Sequence, residues 1–74
     1  SQGQFEEALA ELEFATALDS RYVQAWLLMA ETYRQLERPE DARAAYEHVL
    51  TRSPDNADAL AGIAALDAEE TTVP

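Results

Sequence analysis

The strongest constraint on this chain is the spacing of its apolar residues across positions 25–54. Ala25, Trp26, Met29, Ala30 and Tyr33 recur at helical intervals. After a break at Glu37, Arg38 and Pro39 the pattern resumes with Ala42, Tyr46, Val49 and Leu50. Each stripe needs an apolar surface to cover it, and the nearest one is the other stripe. The stretch therefore predicts two amphipathic helices that fold back to face one another.

Trp26, Met29, Ala30, Tyr33, Ala42, Tyr46 and Pro54 also stand at the places of the pattern W-x2-L-G-x2-Y, A-x3-F, P. In this the stretch resembles the tetratricopeptide repeat, a helix-turn-helix unit of about 34 residues. Met for Leu, Ala for Gly and Tyr for Phe keep the size class, while Glu37 departs from the turn glycine of many family members. Displacement by one repeat length, about 34 positions, superposes the chain on itself. Ala8, Leu12, Ala15 and Ser20 fall on Ala42, Tyr46, Val49 and Pro54. Ala25, Trp26, Met29 and Ala30 fall on Ala59, Leu60, Ile63 and Ala64. The match fails where Tyr33 meets Asp67, which makes the last helix a solvent-facing cap or a degenerate copy.

The resemblance implies an all-α fold, with antiparallel helix-turn-helix repeats stacked as a short right-handed α-solenoid of about four helices. Residues 3–20 correspond to the second helix of a repeat and residues 23–56 to a complete one. Residues 57–70 form the first helix of a following repeat, or a cap, and residues 71–74 a disordered tail. Starting in mid-repeat, the chain reads as an excised fragment.

Taken in order, Phe5, Ala8, Leu9, Leu12, Ala15 and Leu18 mark a helix over 4–18, with Gly3 ending whatever precedes it and Phe14 left partly exposed. Asp19 and Ser20 offer a turn and an N-cap for a helix over 22–36. Leu27 and Leu28 lie off the stripe of that helix, as suits one with neighbours on several sides. Pro39, Glu40 and Asp41 begin a helix over 39–52, with Arg52 at its negative end and Arg43 in reach of Glu40. Ser53-Pro54-Asp55-Asn56 is a turn and capping cluster. The helix over 57–70 is expected to bury Leu60, Ile63 and Ala64, with Leu66 a further candidate. Its Ala61, Ala65 and Ala68 form a smooth strip, and its Gly62 disfavours helix by about 1 kcal/mol relative to alanine.

Composition narrows function chiefly by exclusion. Fifteen acidic against five basic side chains give a formal charge of −10, which repels phosphate backbones and argues against nucleic acid as a partner. No apolar run approaches the roughly 20 residues of a membrane span. There is no cysteine for disulfide or thiol chemistry. His48 is expected to be exposed, and no ligand-spaced group accompanies it. The acidic pairs Glu6-Glu7, Glu40-Asp41 and Glu69-Glu70 diverge by about 100° on a helix. No enzyme, metal or cofactor is expected.

In the family that the chain resembles, the first helix of each repeat lines a concave groove. That implies a partner surface on the second and fourth helices here: Gln24, Leu27, Leu28, Glu31, Arg34 and Gln35, then Asp58, Ala61, Ala65 and Glu69. Leu27 and Leu28 would take apolar side chains, while Glu31, Asp58 and Glu69 would attract lysine or arginine. The expected partner is a protein or peptide with basic residues, docked without catalysis as part of a larger scaffold. The alternative is a structural segment that self-associates through its open ends or stacks on neighbouring repeats. The family's clamp for acidic chaperone tails is not matched, because Leu28, Glu31 and Ala65 stand where it needs amides or cations.

Overall fold

A computed structural model describes residues 2–71. Four helices follow one another: α1 (Gln2–Leu18), α2 (Val23–Gln35), α3 (Pro39–Arg52) and α4 (Ala57–Thr71). Packing follows chain order, α1 on α2, α2 on α3 and α3 on α4. The result measures 41 × 32 × 14 Å, a single layer hardly thicker than a helix with its side chains. These are the helix-turn-helix repeats expected. α4 runs on to Thr71, the first residue of the expected tail, and residues 72–74 lie outside the described ones.

The ends of the helices show how local chemistry fixes the layer. Gly3 does not end an earlier element but lies inside α1, because a terminating glycine needs a left-handed backbone and no described glycine has positive φ. Neither Asp19 nor Ser20 caps α2. Its N-cap is Tyr22, which makes no side-chain capping bond, and Asp19 instead closes the turn by accepting the backbone N–H of Arg21 at 3.0 Å. That bond, then the Arg21 side chain, holds the Asp19 carboxyl below its ordinary pKa. Asn56 does cap α4, accepting the Ala59 N–H at 2.9 Å.

At the end of α2, Glu37 takes a φ of 59°, with the Glu37 N–H bonded to the Arg34 carbonyl and the Arg38 N–H to the Tyr33 carbonyl. This is the Schellman closure, which favours glycine at the left-handed position. The apolar contact that often accompanies it is replaced by the Arg38 guanidinium, 4.8 Å from the centre of the Tyr33 ring. A left-handed residue with a Cβ costs roughly 1–2 kcal/mol, and glycine gives back part of the gain through its freer unfolded chain. Glu37→Gly is therefore expected to stabilise the fold by about 0.5–1 kcal/mol, read as a higher urea midpoint. Glu37→Ala, which keeps the Cβ, should give no such rise.

The core lies between α2, α3 and α4, where Leu27, Ala30, Ala42, Ala45, Tyr46, Val49, Ala59 and Leu66 are buried and Trp26, Tyr33 and Ile63 pack against them. Three expectations change here. Leu60 is 48% exposed and Ala64 is exposed, while Ile63 is half-buried; α4 buries the expected candidate Leu66 and, beside it, Ala59 and Gly62, the residues that face α3. Leu18 is exposed, having no helix to cover it among the described residues, and Thr16 is buried instead, its hydroxyl bonded to the Leu12 carbonyl at 3.0 Å. His48 is half-buried: its ring stacks on Trp26 with centroids 3.9 Å apart. The Ser20 carbonyl lies 3.0 Å from both His48 Nε2 and Trp26 Nε1. A carbonyl only accepts, so both rings donate to it, and one backbone oxygen ties the α1–α2 turn to α2 and α3.

Candidate functional site

α2 and α4 do not pack closely, and the space beside them is a concavity lined by Glu31, Arg34, Gln35, Glu37 and Glu69. Glu31, Arg34 and Gln35 stand on the last turns of α2, Glu31 between the buried Ala30 and Thr32. Glu69 stands near the end of α4, one turn beyond the buried Leu66. A smaller depression next to it adds Pro39 and Leu66 to Arg34, Glu37 and Glu69.

Arg34 is the hub of this surface. Its Nη2 lies 3.4 Å from Glu69 Oε2, which ties α2 to α4. The guanidinium is also held in its charged form, chiefly by the Tyr46 hydroxyl and then by Glu69. Three carboxylates thus share the concavity with one guanidinium that is already engaged. The negative balance left over is electrostatically suited to a cation. No described group of histidine, cysteine, aspartate or glutamate side chains could hold a metal ion.

Of the groove residues expected from the sequence, the concavity brings together Glu31, Arg34, Gln35 and Glu69. Leu27 has to be removed from that set. It is 6% exposed and sits in the core, because one step along a helix turns a side chain by about 100° and carries it off the open face. Leu28 is exposed but belongs to a separate apolar groove between α1 and α2, with Ala8, Leu12, Ala15 and Tyr22. Gln24, Asp58 and Ala61 are exposed and Ala65 is half-buried, all outside the linings of these concavities. Glu37, read from the sequence only as a turn residue, joins the site. Its place follows the left-handed backbone that ends α2, which the spacing of apolar residues does not disclose.

Two further cross-links hold the layer. Arg43, expected to pair with Glu40, reaches across to Asp67 of α4. That gives the aspartate which breaks the repeat pattern a structural use. The Tyr33 hydroxyl lies 3.4 Å from Glu13 Oε2 on α1. Burial, then the negative charge of Glu13 and Asp41, raises the Tyr33 pKa. No helix of the described residues is long and apolar enough to cross a membrane.

The family model described as tetratricopeptide repeat matches residues 1–66. No curated protein and no solved structure matches the chain.

Proposed function

The chain belongs to the tetratricopeptide repeat family, whose repeats are generally protein–protein interaction modules and typically non-catalytic, and we propose that its α2/α4 concavity docks a basic peptide segment of a partner protein. The observation that carries this reading is the charge balance of the concavity, with Glu31, Glu37 and Glu69 set against an Arg34 already bonded to Glu69. With Leu27 buried, the apolar part of the expected groove shrinks, and attraction to lysine or arginine carries more of the recognition. The module would then act as one arm of a larger scaffold, holding its partner by charge and releasing it readily.

The test is anisotropy of a labelled lysine- and arginine-containing peptide titrated with the chain, beside an acidic peptide of equal length. Binding of the basic peptide alone is expected. The double variant Glu31→Lys, Glu37→Lys should weaken it about tenfold, equivalent to ~1.4 kcal/mol, and added salt should do the same in the unaltered chain. Equal binding of both peptides, or indifference to the double variant, would remove the concavity as the docking site.

A further inference from the structure

The α2/α4 concavity and the smaller depression beside it are neighbouring seats with different chemistry. They share Arg34, Glu37 and Glu69 as a common border. On the larger side the rest of the wall is Glu31 and Gln35, both polar. On the smaller side it is Pro39 and Leu66, both apolar. Leu66 is 1% exposed and serves as floor, while Pro39 is exposed and is the first residue of α3. Proline has no backbone N–H, so the wall that Pro39 forms offers a polar ligand no donor. The border between the two seats is held in place by Arg34, whose Nη2 lies 3.4 Å from Glu69 Oε2 and whose guanidinium is engaged with the Tyr46 hydroxyl.

Both seats lie between helices that the chain itself supplies. Stacking continued in the same chain order would add the next helix on the far side of α4, leaving the space between α2 and α4 open. Nor does the chain hold a cation to spare for that space. Its five basic residues are all arginine, and Arg21, Arg34, Arg38 and Arg43 already pair with carboxylates of the same fold. A second copy would bring its own charge of −10 to an acidic surface. Resting on the reading of the concavity as a dock for a basic segment of a partner protein, we infer that this segment is bipartite. A lysine or arginine enters beside Glu31 and Glu37, and a leucine-sized aliphatic side chain two residues away rests on Pro39 and Leu66. Seats that share a border call for two side chains on one face of the ligand, and in an extended segment those are residues i and i+2, about 7 Å apart. Charge then selects which segments approach, and the apolar contact selects which of them stay.

Anisotropy titrations of the unaltered chain with labelled peptides of equal positive charge test the pairing. In one peptide leucine stands two residues from a lysine, in the second it stands next to the lysine, and in the third serine replaces it. The first, in one of its two chain orders, should bind about fivefold tighter than the others, the effect of partly burying one aliphatic side chain. Added salt should weaken all three and preserve that ratio, because screening acts on the charges and not on the apolar contact. Pro39→Ala, checked by helical circular dichroism, should bring the ratio to twofold or less. Glu31→Lys should weaken all three peptides and keep the ratio. Equal binding of the three peptides would overturn the bipartite segment and leave the basic dock standing. A fivefold ratio that survives Pro39→Ala would put the apolar contact elsewhere and overturn it as well. If none of the peptides binds, the dock fails and the pairing with it.

Discussion

Replacing Trp26 with alanine is expected to remove about 3–4 kcal/mol of stability, the usual effect of deleting a large packed aromatic. A chain of this length has roughly 4–11 kcal/mol in all, so the loss is about a quarter of the total or more. Half-burial would suggest a milder effect, but the indole does more than cover the core. Its N–H satisfies the Ser20 carbonyl, and its face holds the His48 ring that donates to the same oxygen. Removing it takes away one bond and the surface that orients the second. Trp26→Phe keeps a stacking face and loses the indole donor, so about 1–1.5 kcal/mol is expected, the worth of one hydrogen bond. His48→Ala should fall in the same range. Urea unfolding followed by helical circular dichroism reads all three. If Trp26→Ala and Trp26→Phe unfold at the same urea concentration, the ring pair is not what secures the turn.

The second large effect has the opposite sign to the one that helix propensity gives. Alanine is favoured over glycine inside a helix by about 1 kcal/mol, which makes Gly62→Ala look like a stabilising change. In the fold, a Cβ on Gly62 would overlap the outer ring atoms of Tyr46, Cζ, Cε1 and Cε2. That ring is 3% exposed and lies among core residues of three helices, and its hydroxyl is engaged with Arg34. It cannot swing away without giving up its engagement with Arg34 of α2 and its place in the core. Overpacking of this kind costs typically 1–3 kcal/mol, so Gly62→Ala should lower stability by about 2 kcal/mol. Tyr46→Leu should relieve the clash. Leucine already stands at the equivalent place in α1, as Leu12 opposite Leu28. The double variant is therefore expected to be less destabilised than the sum of the two single changes by about 1 kcal/mol or more. Strict additivity would show that the ring and the glycine do not meet.

Gly62 also shows what the sequence could and could not disclose. The element order, the turns at Pro39 and Pro54 and the capping asparagine were all legible, because they rest on local chemistry and on a repeated spacing. The rotational phase of the helices was less so. α2 has neighbours on two sides, so its buried arc takes in Ala25, Leu27 and Thr32 as well as Met29 and Ala30, and no single stripe describes it. In α4 the repeat equivalence of Leu60 with Trp26 was sound, yet Trp26 is packed by α3 and no described helix plays that part for Leu60. Burial of a residue in a repeat depends on the neighbouring repeat, which its own segment does not encode. The candidate concavity was legible for Glu31, Arg34, Gln35 and Glu69. It was misread at Leu27, one helical step away, and it omitted Glu37, whose place depends on a backbone angle.

The layered order of packing bears on how the chain reaches its fold. Each helix finds its main partner across a connection of a few residues, so no distant segments must search for one another before contact is rewarded. The entropy of closing loops is then met in small instalments, and topologies of this kind fold on the fast side of the range for small domains. The pair α2 and α3, which holds most of the fully covered side chains, is the natural seed. Growth from it can proceed toward either terminus, by two routes of similar difficulty rather than one obligatory sequence of steps.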